Sequence, residues 1–193
     1  MRRLSKPLSM RTSKRWLVAD DRIGGYADAL LAVAAAEGAS DVVEDELFRV
    51  AEAVRASESL LNTLADRQLP IERRIGVVED LLGPKASPTT TALVSMVVAN
   101  GRGADLPAIV DEAMIRSAAG RNRQLARVRS AVGLDDDQVQ RLAQAIKTRT
   151  GSDVEIRVVI DESVMGGLIT EIGDDVIDGS VRRRMSQLRE SFN

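Results

Sequence analysis

The fold class this sequence predicts is mainly α with a small α+β part, and three observations carry the prediction. Residues 22 to about 120 keep a helical apolar period throughout. After Asn122 the period changes to two, the repeat of a strand with one wet face. Between residues 166 and 180, glycine and aspartate then alternate with short apolar runs, as turn residues do. The expected architecture is an N-terminal six-helix bundle followed by a smaller β-α-β-β-β-α C-terminal domain, joined near residues 118–124. Residues 1–21 form a basic N-terminal arm, 22–120 the bundle and 121–193 the C-terminal domain.

In the first helical stretch, "RIGGYADALLAVAAAEG", Tyr26, Leu30 and Val33 fall on one row and Ile23, Ala27, Leu31 and Ala34 on the next, with Gly38 as the stop. Ser40 reads as N-cap of "DVVEDELFRVAEAVRAS", whose early acids suit the positive end of a helix and whose stripe is Val43, Leu47, Val50 and Val54. A short helix is expected at 58–66. In "LPIERRIGVVEDLLG", Pro70 starts a helix and Gly83 closes it. "TTTALVSMVVANG" has almost no polar face, so it is either a central helix or one that offers a second face to a partner. "DLPAIVDEAMIRSAAGRN" completes six, with Ile109, Ala113 and Arg116 along one side.

"QLARVRSAV" alternates Leu125, Arg127 and Arg129 against Ala126, Val128 and Ser130, a half-wet strand. An amphipathic helix follows, capped by Asp135, with Val139, Leu142 and Ile146 inside and Gly151 at its end. "DVEIRVVID" is the second strand, and "GGLITEIGDDVIDG" gives two short strands about a turn at Gly173, Asp174 and Asp175. Ser180 can cap a last helix with Val181, Met185 and Leu188 inward.

Composition excludes most chemistry. Cysteine and histidine are both absent, which removes disulfides, thiolate and imidazole metal sites, and Ser-His or Cys-His nucleophiles. No apolar run reaches the roughly 18–20 residues that span a bilayer. Residues 1–19 carry six bases and no acid, 20–120 nine bases against seventeen acids, and 121–193 twelve of each. A nucleic-acid module would use the basic arm and the arginines near the end, but the acidic middle and an aromatic content of 2% oppose it.

The acid-rich stretch around residue 174 invites a metal reading. In an EF-hand frame Asp174 takes position 1 and Asp178 position 5, yet Val176 and Met185 stand where calcium needs oxygen, so the frame fails. No phosphate-loop pattern occurs. A carboxylate enzyme built on Asp174, Asp175 and Asp178 stays open as a rival; the glycines need only a bulge, a close approach and turns. Arg182, Arg183 and Arg184 oppose a helix dipole and point either to a solvated face or to a partner.

Residues 158–188, "VVIDESVMGGLITEIGDDVIDGSVRRRMSQL", resemble the C-terminal signature of the F-type ATP synthase delta subunit family, whose mitochondrial counterpart is the oligomycin sensitivity-conferring protein. Gly166, Gly167, Gly173, Asp174, Asp178 and Ser180 fit that signature in order. "YADALLAVAAAEG" and "LPIERRIGVVEDLLG" are similar to family segments as well, whereas Gly24-Gly25 and the basic residues 1–19 depart from it.

The resemblance implies a non-catalytic stator of a proton-translocating ATP synthase, without cofactor, joining the catalytic head to the peripheral stalk against rotor torque. It implies that an alpha-subunit N-terminal helix lies in a groove between the first and fifth helices, with Tyr26, Leu30, Val33, Leu93, Val94 and Val97 as candidates. It also implies that the C-terminal part contacts the b subunits of the stalk, with Arg182, Arg183 and Arg184 as candidates. A separate subunit at the cytoplasmic face of a bacterial plasma membrane is expected, touching the membrane only through the complex and binding no nucleic acid.

Overall fold

The structure is a computed structural model that describes residues 13–180, with side chains from Arg22 onward. Among the described residues the chain is mainly helical, with seven α-helices and one four-stranded sheet. Six helices precede the first strand: α1 (Ser13–Ala36), α2 (Ser40–Ala56), α3 (Glu58–Ala65), α4 (Ile71–Leu82), α5 (Pro88–Ala99) and α6 (Leu106–Gly120). A 3-10 turn (Gly103–Asp105) leads into α6. Then come β1 (Gln124–Ser130), α7 (Asp136–Thr150), β2 (Val154–Ile160), β3 (Leu168–Ile172) and β4 (Asp175–Asp178). The expected last helix lies outside the described residues.

Local chemistry sets these bounds, with three departures from the sequence reading. Helix α1 begins at Ser13, so part of the expected 1–21 arm is helix; "SKRWLVADD" contains neither glycine nor proline to stop it. Residues 1–12 lie outside the description. Ser40 is not the N-cap of α2: Ala39 occupies that place and no side chain caps it, Ser40 already being helical. The division into two compact units falls at Ala113–Met114, inside α6 rather than near residues 118–124. Serine caps act instead at α3 and α5, where Ser57 Oγ accepts from Leu60 N (3.2 Å) and Ser87 Oγ from Thr90 N (3.2 Å).

The first unit buries side chains from every helix. Leu30 of α1, Leu47 and Val54 of α2, Leu64 of α3, Val78 of α4 and Val97 of α5 are all at most 2% exposed. Each such burial stabilises by about 1.5–3 kcal/mol. Helix α5 packs on α4, α2 and α1, which explains its nearly unbroken apolar sequence. The buried Arg74 of α4 donates from Nη1 to the Val98 carbonyl (3.0 Å) near the end of α5, adding to the turn bond this oxygen accepts from Gly101 N (3.0 Å). Close approach governs the 3-10 turn: a Cβ on Gly103 would stand 2.2 Å from the Leu64 carbonyl oxygen.

In the second unit the strand order is β2-β1-β3-β4. β1 runs parallel to β2, and the connection that parallel pairing requires is α7. The β1–β3 and β3–β4 pairs are antiparallel. Helix α7 has the expected capping box, Asp135 accepting from Gln138 N (2.8 Å) while Gln138 Oε1 accepts from Asp135 N (2.9 Å), and the left-handed Gly151 ends it. Its Ile146 covers Ala126, Val154 and Ile172 on one sheet face. The alternate residues carry ion pairs: Glu155 accepts from Arg121 (2.8 Å) and Arg157 (2.9 Å).

Candidate partner-binding surfaces

The residues named for a groove between the first and fifth helices separate into two groups. Leu30, Leu93, Val94 and Val97 are 0–4% exposed and belong to the interior. Val33 is 40% exposed and Tyr26 half-buried, and these two stand seven residues apart on one side of α1. The helices α1 and α5 do pack on each other. On α5 only Pro88 and Ala92 are exposed, so it is the enclosed central helix that its composition suggested. The half-buried Met96, missed in the sequence reading, contributes further apolar surface there.

A second surface was not anticipated. A cavity of about 300 Å³ opens between α2, α3 and α4, with Val94 of α5 at its base. Its wall on α2 is Glu46, Arg49, Val50, Ala53 and Val54, a helical face whose spacing was visible but whose covering neighbours were not. At one end, Glu46 Oε2 accepts from Ser87 N (2.9 Å) and Ser87 Oγ (2.8 Å). Burial acts to raise the Glu46 carboxyl, but hydrogen bonds from Thr90 and Ser87 and the charge of Arg49 together outweigh it and hold the group below its ordinary value of 4.5.

The signature residues are turn and register devices as the structure places them. Gly167 has φ +79°, and a Cβ there would stand 2.5 Å from the Gly179 carbonyl oxygen. This contact lets the chain after β4 lie against the start of β3, where Gly179 N donates to Leu168 O (2.8 Å). Gly166 also has positive φ, and Gly173 with Asp174 forms the two-residue β3–β4 turn. Asp178 Oδ1 accepts from Ser180 N (2.9 Å). Asp174 and Asp175 are exposed, and among the described residues no group of three or more carboxylates could hold a metal ion. Just upstream, hydrogen bonds from Ser163, with the charge of Arg129, keep the Asp161 carboxyl below its ordinary value. Arg182, Arg183 and Arg184 lie outside the described residues.

Fold and surfaces together define a class first: a mainly helical protein with a small four-stranded sheet and two part-apolar surfaces on its helical unit. The family model described as ATP synthase delta (OSCP) subunit matches residues 23–192, and the chain belongs to that family. It is 39% identical over 169 residues to "ATP synthase subunit delta" of Acidothermus cellulolyticus, covering 84% of this chain and 59% of the relative. Against the protein of the same name from Nocardia farcinica it is 39% identical over 166 residues, covering 86% and 61%. The chain thus spans about three fifths of the length of these relatives. Its fold is similar to a chain in the cryo-EM structure of the Toxoplasma gondii mitochondrial ATP synthase hexamer, with TM-score 0.53, 22% identity, and coverage of 88% of this chain and 96% of that one. No described helix is long and apolar enough to cross a membrane.

Proposed function

We propose that this chain is the stator linker of a proton-translocating ATP synthase, holding the catalytic head to the peripheral stalk so that the head does not turn with the rotor. The six helices act as a bundle that takes the N-terminal helix of an alpha subunit along α1 and α5. The observation that supports this reading is the exposed Val33 and half-buried Tyr26 on one side of α1, which packs on α5, whose Ala92 and Met96 keep apolar surface. Leu30, Leu93, Val94 and Val97 belong to the buried interior behind that surface, and Tyr26 and Val33 meet the partner. An amphipathic helix in such a strip needs only slow release to resist torque. Residues 121–193 contact the b subunits, with Arg182, Arg183 and Arg184 as their cationic contribution, at the cytoplasmic face of a bacterial plasma membrane. The bacterial sources of the relatives support that placement.

The test is titration of the full chain with a synthetic alpha-subunit N-terminal peptide. Saturable binding is expected, weakened at least about tenfold by Val33→Asp, the loss of a buried apolar contact plus the burial of a charge. Val132→Asp, at an exposed position of the second unit, serves as control and leaves it unchanged. Absence of any titration signal with the unaltered chain sinks the reading.

A further inference from the structure

The cavity between α2, α3 and α4 differs from the α1–α5 strip in how its polarity is arranged. Because Glu46, in the middle of α2, is bonded to Ser87, just beyond the end of α4, Lys85 is brought near Glu46 and Arg49. Its charged groups, Glu46, Arg49 and Lys85, therefore gather at one end. The other end, eight residues along α2 and so about 12 Å away, is walled by Val54, Leu60, Leu64 and Val78. A partner helix lying in a groove has apolar anchors along its length and polar residues to the side. This cavity instead separates polar from apolar along its axis, as a molecule with a charged head and an oily tail does.

The charge at the polar end has a definite sign. The Glu46 carboxylate is occupied by the amide and hydroxyl of Ser87 and stays ionised beside Arg49. Arg49 donates only Nε, to the Asp45 carbonyl (3.3 Å), and the exposed Lys85 ammonium makes no hydrogen bond among the described residues. Two cations against one engaged anion leave one positive charge and several unused donors. At about 300 Å³ the volume sits at the small end of ligand pockets, and its lining is mostly apolar with a few convergent polar groups.

We infer that this cavity binds a single-chain anionic amphiphile of the fatty-acid class, its carboxylate held by Arg49 and Lys85 and its alkyl tail lying along Val50 and Val54 toward Leu64. The site is separate from the alpha-helix surface proposed above and does not depend on it.

The experiment is calorimetric titration of the full chain with decanoate below its micelle concentration, with decyltrimethylammonium as the cationic counterpart and amide chemical shifts to locate the ligand. Decanoate is expected to bind at one saturable site, shifting Val54, Leu64 and Val78, while the cationic amphiphile does not. Arg49→Ser with Lys85→Ser, both at exposed positions, weakens decanoate about tenfold through lost charge-assisted hydrogen bonds. Ala53→Trp, an exposed wall position where the indole fills the space, abolishes binding. Equal affinity for both amphiphiles, shifts elsewhere in the molecule, or decanoate binding that survives Ala53→Trp would overturn the inference. So would an amphipathic peptide that occupies the cavity of the unaltered chain when decanoate does not.

Discussion

In residues 22–113 the interior is assembled from long side chains contributed by every helix, whereas in the sheet unit a core of Ala126, Ile146, Val154 and Ile172 is backed by strand register, a capping box and tight turns. The first unit is held chiefly by apolar area and the second more by backbone geometry. The contrast teaches which kind of substitution each unit fails to tolerate. Removing volume damages the helical unit, which resists an added Cβ only at close approaches such as Gly103, whereas in the sheet unit the sharpest single change is a Cβ added at the left-handed Gly167.

The largest expected effect is Leu47→Ala, which empties a site that is 1% exposed and destabilises the helical unit by ~3.5 kcal/mol. Amide hydrogen exchange should show protection lost in α2 and α5 and kept in β1. Loss to the same degree in β1 would merge the two units into one cooperative body and break the comparison. Gly167→Ala comes next, at ~2 kcal/mol or more, from left-handed strain plus the contact with the Gly179 carbonyl. Here exchange should quicken in β3 and β4 and leave α5 as it was.

Glu46→Ala sharpens the comparison from within the helical unit, where a carboxylate rather than packing ties Ser87 to α2. About 1.5 kcal/mol is expected at neutral pH from losing charge-assisted bonds. Because the native pKa is depressed, this contribution is fully present above the ordinary value of 4.5 and is lost as pH falls through the native one. Thermal melts of the two proteins should therefore converge on acidification; a constant gap from pH 7 to below that range would refute the assignment. The smallest effect is Asp135→Ala, ~1 kcal/mol from the lost N-cap of α7, read as a lowered melting temperature that Asp135→Ser largely restores.

The sequence made legible whatever depends on near neighbours along the chain. Alternation in "QLARVRS" placed Ala126, Val128 and Ser130 inward, and all three are buried. Val43, Leu47, Val50 and Val54 are likewise the buried stripe of α2. The Asp135 cap and the Gly151 stop follow from residue type and position alone. The near-absence of a polar face on α5 left two readings, a central helix or a second face for a partner, because such a helix has no side to give to water.

What the chain could not reveal on its own is which apolar residues a neighbour covers. Tyr26, Leu30 and Val33 share a row, yet Leu30 is fully buried and Val33 is 40% exposed, a difference that the packing of α2 and α5 creates. The cavity beside α2 needs α3 and α4 as its other walls, and Ser40 lost the cap position because the chain turns into α2 at Ala39. Helix and strand type were thus determined by the sequence itself, since periodicity and caps act over a few residues. The strand order, the exposed strip on α1 and the charged mouth of the cavity were decided only by tertiary structure, because burial is a property of two surfaces and a sequence displays them one at a time.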